Sequence, residues 1–123
     1  MSSELRGGRA ANPLAALAAA HRVAVQAMTL VAEDTEQTYL DNEERQLAVE
    51  RLLLRFGKAL KAVPEEILLA VAPDVDWAGP KRFRDLAAHW YTDGLDHRLI
   101  WRALQYDLPR AASAIQTYLQ RSA

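Results

Sequence analysis

The fold is indicated most clearly by residues 41–63, which read DNEERQLAVERLLLRFGKALKAV. Apolar side chains recur in this stretch at alternating three- and four-residue spacing: Val49, Leu53, Phe56, Leu60 and Val63. Such spacing keeps one apolar face inward over about four turns of α-helix. We expect this helix to begin near Asp41, with Glu44 completing a start similar to a capping box, and to end at Pro64.

A longer helix is predicted before this stretch. Asn12 followed by Pro13 is a helix-start pattern, because an Asn side chain can cap free amides and Pro loses nothing at the first helical position. The helix should run to about Asp34, and its apolar residues nearly encircle it, as in a helix buried in a bundle or at a subunit contact.

Two elements are predicted after Pro64. A short helix should pass through Ile67, Leu68 and Val71, and a loop over residues 73–80 should be anchored by Trp77. A further helix is expected from Lys81 to Tyr91, closed by Gly94 just past its end.

The C-terminal part predicts two more helices. Asp96 can cap the first of them, whose inward residues should be Leu99, Ile100, Ala103 and Leu104. Pro109 marks the seam to the last helix, and Ala112, Ile115 and Leu119 should face the core from it. The whole pattern predicts an all-α fold, an antiparallel up-and-down bundle of four long helices plus a short one.

Length and composition set the limits of the prediction. The chain has 123 residues, of which 50% are hydrophobic and 25% are charged, so one domain over residues 12–123 is expected after a flexible tail over residues 1–11. With no Cys, there is no thiolate metal site, disulfide or cysteine nucleophile, and a cytoplasmic location fits best. The apolar run 14–20 ends at His21 and Arg22, so neither a secretion signal nor a membrane span is predicted. Because the net charge is -1, contact with nucleic acid would need a local basic patch.

Six carboxylates lie between Glu33 and Glu44 without a compensating base among them. They can be interpreted as a solvated turn followed by acidic first-turn residues, which the helix dipole favours. They can also be interpreted as a docking surface for a basic partner.

Residues with possible chemistry are concentrated in the stretch 81–91, KRFRDLAAHWY. Asp85 lies one helical turn before His89, so its carboxylate can accept the ring N–H and prepare the imidazole for proton transfer. Arg84 and Tyr91 share another stripe, but Arg84 and His89 lie about 140° apart around the helix axis. A long Arg side chain or a second copy of the helix could bring both to one substrate, whereas a purely structural Asp–His pair is the alternative.

The order Arg84, Asp85, His89, Tyr91 resembles the Arg-x4-His-x-Tyr signature of HepT-like toxins, a branch of the HEPN ribonuclease superfamily. The similarity covers roughly residues 41–119. Two further pieces precede the motif in the family's order, Gly57-Lys58-Ala59-Leu60-Lys61 and Pro73 to Trp77, and a third follows it, formed by Asp96, Trp101 and Leu108-Pro109. Two positions depart from the pattern, because Asp85 stands where Asn is frequent and Lys58 where Glu is common.

The resemblance implies a HEPN-like fold and a metal-independent endoribonuclease that needs no cofactor. Arg84 and His89 would be its catalytic residues, supported by Asp85, and two motifs would meet across a homodimer to form one RNA-cleaving site. Lys81 and Arg82 would bind RNA phosphates, with Arg98 and Arg102 as further candidates.

The resemblance also implies a partner. In the family, an MntA-type minimal nucleotidyltransferase antitoxin transfers AMP to the motif tyrosine, which is Tyr91 in this chain. A non-catalytic HEPN partner of a nucleotidyltransferase is the alternative function, and a helical adaptor that uses the acidic segment is a third. The remaining polar aromatic residues Tyr39, His21 and His97 carry no signal of a matched partner, and no metal site is predicted.

Overall fold

The computed structural model describes residues 12–80 and 95–123, and their regular secondary structure is entirely helical. The elements with described bounds follow in chain order: α1 Pro13–Leu30, α2 Glu36–Leu40, α3 Glu43–Lys61, α4 Glu65–Val71, α5 His97–Arg102, the π segment Ala103–Asp107, and α6 Leu108–Arg121. Residues 78–80 are helical as well, so the loop predicted over residues 73–80 ends at Trp77. The predicted all-α class is confirmed. The predicted tail over residues 1–11 and the predicted helix from Lys81 to Tyr91 lie outside the described residues.

Helix α1 begins as its sequence predicts. The Asn12 side chain accepts a hydrogen bond from the Ala15 amide at 3.0 Å, and Pro13 occupies the first turn. The helix ends at Leu30, earlier than the predicted Asp34, and only one face is buried. Leu14 and Val25 are each 40% exposed, so α1 is not buried on all sides within the bundle, whereas burial at a subunit contact stays a prediction.

The acidic segment contains an element that the sequence did not predict. Helix α2 is capped at Thr35, whose side chain and backbone exchange hydrogen bonds with Thr38. Helix α3 starts after Asn42, which accepts a hydrogen bond from the Arg45 amide at 2.9 Å, so the helix begins near Asp41 as predicted but its cap is Asn42.

Arg45 fixes the turn between the two longest helices. Its guanidinium donates to the Leu30 carbonyl at 2.6 Å and to the Asp34 carboxylate at 2.7 Å, which holds the start of α3 against the end of α1. The two helices therefore run antiparallel. The contact also neutralises Asp34 with a base that lies just beyond the acidic segment.

The hydrophobic core lies where α1 packs against α3 and α6. The predicted stripe faces it: Val49, Phe56 and Leu60 of α3 are buried and Leu53 is partly buried. Val63 is buried too, but it lies past Lys61, where α3 ends before the predicted Pro64. Within the described residues no helix is long and apolar enough to cross a membrane.

The two predicted C-terminal helices form one continuous helical run over residues 97–121. Asp96 caps it as predicted, accepting hydrogen bonds from the Arg98 and Leu99 amides. A π-helical turn joins α5 to α6 at the predicted seam, and Pro109 lies in the first turn of α6. Leu99 is 58% exposed, so the prediction that it faces the core is wrong, whereas Ile100 and Leu104 are buried.

Candidate functional site

A chain of three polar side chains connects α2, α3 and α5. The Tyr39 hydroxyl lies 2.6 Å from His97 Nδ1, and His97 Nε2 lies 2.6 Å from the Glu50 carboxylate. Tyr39 is fully buried and the His97 side chain is 9% exposed, whereas the Glu50 side chain is 28% exposed. The chain of hydrogen bonds therefore runs from the core toward the surface.

Burial sets the direction of these hydrogen bonds. It raises the pKa of the Tyr39 phenol well above its usual range, and the negative charges of Glu50 and Asp34 raise it further. The neutral phenol can donate its O–H to His97 Nδ1, and Nε2–H then donates to the Glu50 carboxylate. This tautomer, assigned from the hydrogen-bond partners, gives both ring nitrogens of His97 a partner.

Trp101 completes the packing around this polar chain. Its ring centroid lies 5.3 Å from that of Tyr39, with an interplanar angle of 31°, while the Tyr39 and His97 rings are 5.5 Å apart. These contacts hold the first turn of α5 in place. The predicted absence of a partner for His97 is wrong, and Tyr39, which carried no signal in the sequence, is a core residue with a polar role. Their separation of 58 residues leaves no local pattern that could have revealed the pair.

A groove of about 590 Å³ lies between α3, the loop after α4, and the C-terminal helical run. Its walls are mainly apolar and include Leu53, Phe56, Trp77, Leu99, Ile100 and Leu108. As predicted, Trp77 anchors the loop: its side chain is buried and its Nε1–H donates to the Ala72 carbonyl at 2.8 Å. An exposed ion pair between Arg110 and Asp74, at 2.9 Å, lies at the rim.

All six predicted site residues lie outside the described residues: Lys81, Arg82, Arg84, Asp85, His89 and Tyr91. On either side of them, Pro80 lines the groove, and Leu95 lies two residues before His97. Arg98 and Arg102 are exposed on α5. Within residues 12–80 and 95–123, no three His, Asp or Glu side chains are grouped closely enough to hold a metal ion.

Comparison with known proteins gives two matches. The family model described as Ribonuclease HepT-like matches residues 20–118. A protein of Methanocaldococcus jannaschii named "Putative RNase MJ0127" is 30% identical over 86 residues, which cover 70% of this chain and 69% of that protein. No solved structure matches.

Proposed function

Because the chain belongs to the HepT-like ribonuclease family, we propose that it is a metal-independent endoribonuclease and the toxin of a toxin–antitoxin pair. The observation that carries the proposal is the family match over residues 20–118, a range in which Arg84, His89 and Tyr91 lie. The similarity to a second protein named as an RNase supports it.

The proposed residues are suited to RNA cleavage without a metal. A base removes the proton of the ribose 2′-hydroxyl, the oxygen attacks the adjacent phosphorus, and an acid protonates the departing 5′-oxygen. The products are a 2′,3′-cyclic phosphate and a free 5′-hydroxyl. Imidazole titrates near neutral pH and suits His89 to the proton transfers, while the permanent charge and paired donors of Arg84 suit it to the crowded phosphorane. Asp85 would orient His89 by accepting its ring N–H.

One motif supplies one imidazole, whereas the reaction needs a base and an acid. A homodimer that brings two motifs to one cleft would supply two His and two Arg side chains, which solves this problem. We propose such a composite site, with Lys81 and Arg82 binding the neighbouring phosphates of the RNA.

We further propose that a cognate minimal nucleotidyltransferase antitoxin inactivates the protein by transferring AMP to Tyr91. Each added phosphate would place negative charge and bulk beside the Arg84 stripe, where an RNA phosphate has to bind. The cytoplasm is the location that fits a toxin of this kind.

The cleavage proposal predicts RNA cutting that persists in EDTA and leaves cyclic-phosphate ends. Arg84→Ala and His89→Ala should each reduce the cleavage rate by at least about 100-fold, since each removes a group that acts in the transition state. The measurement is the rate of cleavage of a labelled RNA, with the ends identified by mass spectrometry.

Arg22→Ala and His21→Ala are matched controls on α1 and should leave the rate unchanged. Equal cutting by the wild-type protein and both motif variants would contradict the proposal. A wild-type protein that cuts no RNA yet binds the nucleotidyltransferase would instead support the alternative, a non-catalytic partner.

A further inference from the structure

The outer face of α3 carries four cations in a row. Arg51, Arg55, Lys58 and Lys61 are all exposed, and we call them the basic ridge. At 3.6 residues per turn they lie within about 120° around the helix, and at 1.5 Å per residue they extend for about 15 Å along it. The buried stripe of the same helix, which includes Val49 and Leu60, faces the opposite way.

The ridge is not explained by interactions within the described chain. Residues 12–80 and 95–123 provide no ion-pair partner for any of its four cations. No carboxylate stands three or four residues away from them within α3, so the side-chain pairs that usually stabilise an exposed helix are missing.

The ridge also opposes helix stability. Arg51 and Arg55 are four residues apart, and Lys58 lies three residues from both Arg55 and Lys61, so like charges are neighbours along the whole ridge. The helix dipole favours cations in the last turn, which accounts for Lys58 and Lys61 but not for the two arginines in the middle of α3. A charge arrangement that weakens its own helix indicates an external anion.

The position of the ridge connects it with the candidate site. Arg51 follows Glu50, whose carboxylate holds His97, and the exposed Arg98 follows His97. The ridge therefore begins where Glu50 of α3 contacts His97 of α5.

We propose that the basic ridge binds the sugar-phosphate backbone of single-stranded RNA outside the cleavage site, an inference that rests on the proposed ribonuclease function. Evenly placed cations suit a polymer with one negative charge per nucleotide. The absence of exposed aromatic residues among the four cations predicts binding that is independent of base sequence, because phosphate contacts position RNA but do not specify it. The ridge also explains how a protein with a net charge of -1 holds a polyanion.

The test is a binding titration with fluorescein-labelled oligouridylate, measured by fluorescence anisotropy in the His89→Ala background so that no RNA is consumed. Arg51→Gln with Arg55→Gln should raise Kd several-fold. It should also reduce the slope of log Kd against log salt by about 1.4, since each phosphate contact to a single strand contributes about 0.7. The matched control, Arg22→Gln with Arg121→Gln, removes two exposed cations from α1 and α6 and should leave both values unchanged.

Three results would contradict RNA binding by the basic ridge: an unchanged slope in the ridge variant, an equal loss of affinity in the control variant, or equally tight binding of a polyglutamate of the same charge. The last result would indicate an acidic protein as the partner. If RNA binding depends on the ridge but the wild-type protein cuts no RNA, the ribonuclease function is refuted and RNA binding by the ridge is not. The failure of one proposal can therefore be distinguished from the failure of the other. Thermal unfolding should show that the ridge variant is at least as stable as its parent, because it removes a like-charge pair.

Discussion

At the scale of single residues, His97 connects parts of the chain that are far apart. Its two ring nitrogens contact Tyr39 on α2 and Glu50 on α3, and His97 itself is the first residue of α5. Because each contact occupies one nitrogen, the imidazole has little freedom to rotate. It thereby fixes the position of the chain just after the segment that carries the proposed catalytic residues.

The raised pKa of the buried Tyr39 phenol predicts how stability changes at high pH. In the unfolded chain a tyrosine loses its proton above about pH 10, whereas burial raises the pKa of Tyr39 in the folded protein. The folded state then binds more protons than the unfolded state, so the free energy of unfolding falls as pH rises, by up to about 1.4 kcal/mol per pH unit. Tyr39→Phe should make this fall shallower in urea unfolding between about pH 10 and 11.

The same substitution has an effect near neutral pH. Tyr39→Phe removes the donor to His97 Nδ1 and should lower the free energy of unfolding by about 1–3 kcal/mol. Tyr106→Phe is the control, because Tyr106 is 70% exposed and should change neither the stability nor its pH dependence. Identical pH profiles for Tyr39→Phe and the wild-type protein would show that the phenol ionises normally in the folded state.

The proposed AMP transfer to Tyr91 can be tested by mass and activity together. Incubation with the cognate nucleotidyltransferase and ATP should increase the mass of the protein in AMP-sized steps and decrease its RNA cleavage in parallel. Intact-mass spectrometry measures the first and the cleavage assay the second. Tyr91→Phe should gain no mass, while Tyr106→Phe, which keeps Tyr91, should be modified normally. A mass gain that persists in Tyr91→Phe would place the modification on another residue.

At the scale of elements, α3 is predicted best. Its apolar stripe is regular over its whole length, and all of its predicted core positions are buried or partly buried. The caps of α1 and α5 are predicted correctly, because a cap depends on residues close in sequence, as at Asn12 and Asp96.

Helix α2 was missed because it is only five residues long. A helix of that length is unstable in isolation, since one or two turns do not compensate for the cost of nucleation. Its stability depends on Tyr39, which inserts into the core between α3 and α5. Local composition, which is acidic and polar there, predicts a turn.

The π segment takes the place of a loop at the predicted seam near Pro109. Within a continuous helical run, Pro lacks the N–H that would bond to the preceding turn, so the run departs from a regular α-helix before it. The wider π-helical turn before it keeps the backbone helical through Asp107 and Leu108, so α5 and α6 join without a loop. A π turn also shifts the phase of the following side chains, which a pattern based on 3.6 residues per turn does not anticipate.

At the scale of the whole molecule, the net charge hides an uneven distribution. Carboxylates are concentrated around α2 and the start of α3, whereas the basic ridge occupies the rest of the outer face of α3. A net charge of -1 would suggest no affinity for RNA, yet a local patch decides such binding.

The proposed composite site makes a prediction for the assembled protein. If two motifs form one cleft, mixed dimers of wild-type and His89→Ala chains lack one of the two imidazoles. An excess of the His89→Ala protein, added under conditions that allow subunit exchange, should therefore reduce wild-type cleavage several-fold. The measurement is the cleavage rate at fixed wild-type concentration, with sedimentation to determine the dimer fraction.

A double variant, His89→Ala with Arg51→Gln, serves to separate inhibition by mixed dimers from competition for RNA, because it should still form dimers but bind RNA more weakly. It should inhibit almost as strongly as His89→Ala alone. Wild-type cleavage that is independent of added His89→Ala protein would argue that each chain cuts RNA by itself.

The sequence by itself determined the helical class, the main core stripe, two helix starts and the membership of the ribonuclease family. Each of these depends on residues within a few turns of one another or on an ordered pattern along the chain. Only the tertiary structure decided that Tyr39, His97 and Glu50 form one hydrogen-bonded chain and that the basic ridge lacks partners within the described residues. The physical reason is distance along the chain: contacts across 47 or 58 residues depend on how the helices pack, which local sequence does not specify.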